Sequence, residues 1–308
     1  MRWILFGGVL LISVFSAAFL ATFLPSDLPV PEAPAPSLHP ADPPPEFKIM
    51  VLNTGHMVAK EAFAYRGGDL AEDFVFAVAA IVVDHPQGRF LFDAGFGSVA
   101  REHIQSVPPL VLTFSDHDVD EPAIQMLGPD YELDGIILSH LHWDHVSGIA
   151  DYPDTPVWLS AEQRSFLESG HRSVGLASTL IDAANIRKFD YPAEARSGFE
   201  RSFDLFGDGS VVLVPVSGHT PGSLAMLVAL PSGRRFAFIG DLAWVEAGVR
   251  LPAERPWLAR VVVDHDTDQV IDGLVHFHRL QKATELTIVP SHDGKVISRI
   301  ANYPNWER

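Results

Sequence analysis

The sequence predicts an α/β or α+β fold. Its strand-like apolar runs fall into two groups, one ahead of residue 160 and one from about residue 199 onward, each followed by a polar or turn-forming residue such as Gly, Pro, Asp, Asn or Ser. Helical patterns occupy the stretches between and after them, over 161–187 and Thr267 to Lys282. With 308 residues, 47% of them hydrophobic, there is enough apolar side chain for a sizeable core in at most two domains. Two strand-rich halves with helices between them suggest two sheets packed face to face and covered by helices outside.

The chain opens with an uncharged apolar run of 22 residues, Trp3 to Leu24, preceded only by the charge of Arg2. As a helix it is long enough to span a bilayer. It reads either as a retained membrane anchor with a short cytoplasmic N-terminus or as a secretory signal, with its apolar core at Leu5 to Phe15 and cleavage after Ser16-Ala17-Ala18. The run is long for a signal core, which favours the anchor. Both readings place the remainder outside the cytoplasm, on the periplasmic side in a bacterium. Residues 25–46 hold nine of the 24 prolines and read as a semi-rigid, polyproline-like linker between segment 1–24 and the globular domain, 47–308.

Within the domain, Lys48 to Leu52 is a first strand and 57–73 a loop. Phe74 to Val83 and Arg89 to Phe92 form a hairpin through Asp84-His85-Pro86-Gln87-Gly88. Residues 97–130 are polar and irregular, and the cluster Ser115-Asp116-His117-Asp118 reads as a solvated loop or helix N-terminus. Pro156 to Leu159 is a strand, followed by a helix capped by Ser160. Thr267 to Lys282 is a helix whose buried stripe is Val270, Ile271, Leu274, Phe277 and His278. His276 and His278 are therefore helix residues rather than ligands, and His39, His103, His171 and His265 carry no partner motif.

Net charge is −17 and no basic stripe exists, which argues against a nucleic-acid partner. With no cysteine, disulfides, thiolate ligands and lipidation at a cysteine are all excluded.

The most informative stretch is Ser139-His140-Leu141-His142-Trp143-Asp144-His145. The apolar run Gly135-Ile136-Ile137-Leu138 before it reads as a buried strand, so His140 sits where a strand gives way to a loop. His140 and His142 share a face if the extended geometry persists, while a following helix would send Asp144 and His145 toward a second position. One short segment can thus serve two metal sites.

This H-x-H-x-D-H pattern resembles the metal-binding motif of the metallo-β-lactamase fold superfamily. Further phrases in the same order extend the resemblance over residues 47–308: Leu91-Phe92-Asp93-Ala94-Gly95, Ser217-Gly218-His219-Thr220-Pro221-Gly222, Gly240-Asp241 and Ser291-His292-Asp293, each just past a strand-like run. The resemblance implies a four-layer αββα sandwich. It also implies a metal position held by His140, His142 and His219, a second held by Asp144, His145 and His292, and Asp241 bridging them. Asp93 would orient a ligand imidazole. An all-nitrogen and oxygen ligand set suits two Zn2+ first, with Fe, Mn or Co as alternatives. A hydroxide between two such ions is nucleophilic near neutral pH, while the second ion polarises the substrate oxygen.

Within the superfamily the phrases look most like the acyl-homoserine-lactone lactonases. Those enzymes usually carry a tyrosine three residues after the bridging Asp. Here that position is Trp244, which can donate a hydrogen bond but cannot act as a phenolic acid. Trp244 and Trp143 are equally readable as hydrophobic walls. The implied activity is metal-dependent opening of a lactone or cleavage of a related ester. Phosphotriester or thioester hydrolysis by the same metals is the alternative, and a noncatalytic membrane-tethered binding protein a more distant one.

Overall fold

The structure, a computed structural model, describes residues 16–308 apart from residues 27 and 108. Twelve strands run in chain order: β1 (Lys48–Lys60), β2 (Asp73–His85), β3 (Gly88–Phe92), β4 (Asp116–Val119), β5 (Gly135–Ile137), β6 (Val157–Ser160), β7 (Ile186–Phe189), β8 (Phe203–Asp204), β9 (Val211–Pro215), β10 (Leu224–Ala229), β11 (Arg235–Phe238) and β12 (Leu286–Val289). They form a seven-stranded sheet in the order β4-β1-β2-β3-β5-β6-β7 and a five-stranded sheet in the order β12-β11-β10-β9-β8.

The sheets pack face to face. Ile49, Val51, Ile81 and Phe92 of the first meet Leu213, Met226, Phe236 and Phe238 of the second in one buried cluster. The outer face of the first sheet is covered by short helices carrying Met126, Phe166, Leu167 and Ala177. On the outer face of the second lies the helix Thr267–Ala283, which buries Val270, Leu274, Phe277 and Leu280 at helical spacing. The layer order is helix, sheet, sheet, helix, as two sheets each with two apolar faces require.

Several elements differ from the sequence reading. β1 does not stop at Leu52. A bulge between Asn53 and Gly55 interrupts the register, and pairing then continues to Lys60 opposite Asp73, so the loop expected over 57–73 is shortened to Glu61–Glu72. The cluster around His117 is neither a loop nor a helix start. Asp116–Val119 forms β4 and pairs with Gly55–Val58 at the sheet edge, where alternating charged residues are tolerated. Its polar composition hid a strand whose partner is distant in sequence. Likewise β7 emerges from the end of a stretch read as helical, because it pairs with β6.

Among the described residues no helix is long and apolar enough to cross a membrane. Most of the expected anchor or signal, residues 1–15, lies outside the described part. The Pro-rich segment 25–46 is not a free spacer, since much of it lies along the domain. Polyproline-like chain has no internal hydrogen bonds, so its carbonyls are available, and the domain takes them. Arg279 donates to the carbonyls of Ala33 and Pro34, and Arg235 to that of His39. Leu28 and Leu38 pack against the outer cluster of the second sheet, and the buried His39 ring bonds Ser197 and the Gly209 carbonyl.

Candidate metal centre

The seven ligand-type residues meet at one end of the two sheets. His140 follows β5. His142 is the residue before the helix Trp143–Val146, which carries Asp144 and His145 on its first turn. His219 follows β9, Asp241 lies in the turn after β11, and His292 follows β12. Three groups form, in each of which one ligand atom per residue lies within 4.8 Å of the others: His140, His142 and His219; His140, His145 and Asp241; Asp144, His145 and His292.

Four of the five imidazoles are aimed by Nδ1, that of His140 by the Ser139 hydroxyl at 3.1 Å, whereas His142 Nδ1 faces His219 Nε2 at 2.9 Å. His145 Nδ1 is 2.8 Å from Asp93 Oδ2, and the same carboxylate accepts from the Ser139 amide at 2.7 Å and the Ser139 hydroxyl at 2.8 Å. Asp93 holds this position with φ 57°, a left-handed conformation that only a few non-glycine residues adopt. His292 Nδ1 is 2.7 Å from the Ala77 carbonyl. His219 Nδ1 is 2.9 Å from Asp264 Oδ1. Gly218 allows that loop to lie against the helix Thr267–Ala283, since a Cβ there would sit 2.6 Å from the Val270 amide nitrogen.

Asp264 and Arg255 belong to the site but have no motif in the sequence. Arg255 is 2% exposed, and its Nη1 donates to Asp264 Oδ1 at 3.0 Å. Its Nη2 donates to the Asp241 carbonyl, and its guanidinium lies 4.7 Å from the centre of the Trp244 ring. One buried cation thus connects the carboxylate behind His219 to the backbone of Asp241. The sequence signal was weak: an Asp after Val261-Val262-Val263 and a lone Arg before Pro256. Trp244 is not merely a wall, because its Nε1–H donates to Asp241 Oδ2 at 2.8 Å. Trp143 is a wall residue, stacked on Phe96 with ring centres 5.3 Å apart.

Two electrostatic environments coexist. Burial, with neighbouring imidazoles adding to it, pushes His140 and His142 well below the ordinary histidine range, which favours neutral, ligating rings. Burial also disfavours charge on His145 and His292. There the carboxylates outweigh it, Asp93, Asp144 and Asp241 for His145 and Asp241 and Asp144 for His292, and both rings are raised. Burial pushes Asp241 up, but His292 and His145 together hold it well below the usual carboxylate range.

The donor set fits divalent cations. His140 Nε2, His145 Nε2 and Asp241 Oδ1 are buried without a well-formed hydrogen bond, the last two only facing each other at 3.3 Å, and these three residues form one of the groups above. Orphaned buried polar atoms are costly, and converging orphans of both nitrogen and oxygen are what a cation would satisfy. The centre forms the floor of a cavity of about 570 Å³, with Met57, Phe63, Phe76, Phe114, Leu176 and Val262 among its apolar walls. His171 and His265, unassigned from sequence, also line it, with ring centres 4.7 Å apart.

Fold and site together define a metal-dependent hydrolase, and the chain belongs to the metallo-beta-lactamase superfamily, whose family model matches residues 73–292. Among curated proteins it is 24% identical over 271 residues to the N-acyl homoserine lactonase AttM of Agrobacterium fabrum, covering 85% of this chain and 98% of that one. It also resembles the solved structure of an N-acyl homoserine lactone hydrolase with its product N-hexanoyl-L-homoserine bound at the catalytic metal centre. That match has a TM-score of 0.67 at 14% identity and covers 87% of this chain and 100% of the other. The structure of AidC, described as a dizinc quorum-quenching lactonase, matches with a TM-score of 0.55 at 14% identity, over 91% of this chain and 94% of that one. At such identities the solved structures speak to fold alone.

Proposed function

We propose that this protein is a dinuclear zinc hydrolase that opens acyl lactones or cleaves closely related esters. The reading rests on one observation above all: seven ligand-type side chains, three with buried atoms lacking a well-formed hydrogen bond, converge on the floor of a largely apolar cavity. His140, His142 and His219 would hold one divalent cation and Asp144, His145 and His292 a second, with Asp241 beside both groups, and such ions would supply an activated water and a Lewis acid for the carbonyl oxygen. The remaining chemistry belongs to the chain. Asp93 and Asp264 fix the tautomers of His145 and His219 so that Nε2 faces the centre. Trp244 holds Asp241 Oδ2, and the apolar walls take up the acyl portion and exclude bulk water. In the net reaction the oxygen of water becomes part of the new carboxylate, the ring C–O bond breaks, and the leaving alkoxide takes a proton, giving a hydroxy acid.

A second reading is supported by Trp244 itself. An indole carries no phenol, and its N–H is committed to Asp241, so this position offers no donor to a lactone carbonyl; the second reading is a thioester or phosphotriester substrate. We further propose that residues 1–24 tether the domain to a membrane outside the cytoplasm. The full chain, purified without chelator, is the sample for the decisive experiment. Elemental analysis is expected to give about two zinc per chain, with turnover in a panel of lactones, aryl esters, phosphotriesters and thioesters strongest for acyl lactones. Turnover confined to another ester class would keep the metal centre and replace the substrate. Absence of bound metal would overturn the hydrolytic reading.

A further inference from the structure

The cavity mouth is bordered by an aromatic arc that the chemistry on its floor does not use. Trp257 meets Phe19 with ring centres 6.4 Å apart, Phe19 meets Phe23 at 5.5 Å, Phe23 meets Phe63 at 6.0 Å, and Phe63 meets Phe114 at 5.6 Å. Phe63 and Phe114 also line the cavity. The arc joins residues 16–24, at the end of the apolar N-terminal run, to the rim of the site. Arg66 pins that junction by donating to the carbonyls of Ala21 and Leu24, and the Gly67 amide donates to the carbonyl of Phe23.

This border is also where apolar surface faces outward. Leu20 is 57% exposed, Leu24 61%, Phe114 47%, Trp257 43% and Val261 56%. Among the described residues the largely exposed aromatic side chains are Phe114, Trp257 and Tyr303, and two of the three border the mouth. A contiguous apolar rim of this kind marks an interaction site, and tryptophan at its edge suits a water–lipid interface. Two observations point to lipid as the occupant. The rim is continuous with a 22-residue run of bilayer-spanning length, and a net charge of −17 opposes apposing a second copy of the chain.

We infer that the mouth of the cavity is seated on a lipid bilayer, with Leu20, Leu24 and Trp257 in its interfacial layer, so that acyl chains dissolved in the lipid enter the site laterally. The seat follows from the rim and the N-terminal run. The lateral route to substrate additionally rests on the lactone or ester reading.

The test uses the full chain in zwitterionic phosphatidylcholine vesicles, since a strongly acidic domain is repelled by anionic lipid. Emission is compared in plain vesicles and in vesicles with brominated acyl chains, for the intact protein and for Trp257→Phe. The component lost in the variant is that of Trp257, and bromolipid is expected to quench at least about half of it. Quenching confined to the other tryptophans overturns the seat. So does a concentration-dependent dimer in detergent that buries Trp257, which would make a second copy the occupant. Independently, Leu24→Ser and Trp257→Ser are expected to lower turnover of a long-chain lactone carried in vesicles by about tenfold, while turnover of a short water-soluble lactone is unchanged. Equal effects on both substrates overturn lateral entry. No turnover of either by the intact protein counts against the lactone reading and leaves the seat to be decided by quenching.

Discussion

The floor and the rim of the cavity are built on opposite principles. On the floor four of the seven candidate ligands are fixed twice, by their place at the end of the sheets and by a hydrogen bond behind them. Asp93 and Ser139 stand behind His145, Asp264 and Arg255 behind His219, the Ala77 carbonyl behind His292 and Trp244 behind Asp241. The rim is made of short helices and of residues 16–24, held by ring contacts and a few backbone hydrogen bonds. A metal centre tolerates little displacement of its ligands, whereas apolar recognition needs area more than exact geometry. Substitutions on the floor should therefore act on metal and rate, and those on the rim on substrate range.

The largest effect should come from the candidate ligands. His219→Ala or Asp144→Asn is expected to abolish hydrolysis with loss of bound metal, while circular dichroism stays that of the folded domain. Full activity in metal-depleted His219→Ala would break the assignment of the floor. Behind His219, Asp264→Asn keeps the volume but removes the charge that orients His219 and pairs with Arg255. Metal affinity or rate should fall about 10- to 100-fold, read by competition with a chelating dye as well as by turnover. An unchanged metal affinity would show that Arg255 alone holds the loop. Trp244→Phe removes a single donor to Asp241 and should lower kcat by about tenfold, the scale of a hydrogen bond to a charged acceptor. Trp244→Tyr tests whether a phenol there improves lactone opening, and an unchanged rate would assign Trp244 to holding Asp241 alone.

Legibility in the sequence follows the same division. The convergence of the candidate ligands on the floor could be read because they follow strand ends, where apolar runs, Gly and Pro leave a local signature: Gly135 to His145, Val211 to Gly222, Phe236 to Asp241 and Leu286 to His292. The two-sheet core followed from the same runs. What escaped was set by partners remote in sequence. β4 is a strand because β1 lies beside it, the Pro-rich segment docks because Arg235 and Arg279 reach its carbonyls, and Asp264 serves His219 from 45 residues away. Of the rim only residues 16–24 had a signature, as the end of the apolar run; Phe63, Phe114 and Trp257 had none, since exposed and buried aromatic residues look alike in a sequence.

On the rim, Phe114→Ala should raise KM about tenfold for long-chain substrates and leave kcat and short-chain KM unchanged, because only transferred apolar area is lost. An equal loss for short chains would mean that the rim also positions the reacting group, and the division between rim and floor would weaken.

The smallest effect concerns what holds the N-terminal segment in place. His39 anchors residues 28–45 through Ser197 and the Gly209 carbonyl. Burial lowers its pKa, and the positive charges of Arg235 and Arg196 add to this, against the opposing Gly209 hydrogen bond and the Asp204 carboxylate. A folded-state value below the unfolded one means that the undocked strap binds the proton more tightly. Docking is therefore at full strength above the ordinary histidine value of about 6.5 and weakens as pH falls from there toward the lowered value. Hydrogen exchange over residues 28–45, corrected for intrinsic rates, should show protection declining below that pH. In His39→Asn protection should be lower throughout and lack this component. If the decline persists unchanged in the variant, another group controls the strap. If the floor strands lose protection in step with it, the strap and the metal centre form one cooperative unit, and the contrast between a rigid floor and a separately held periphery fails.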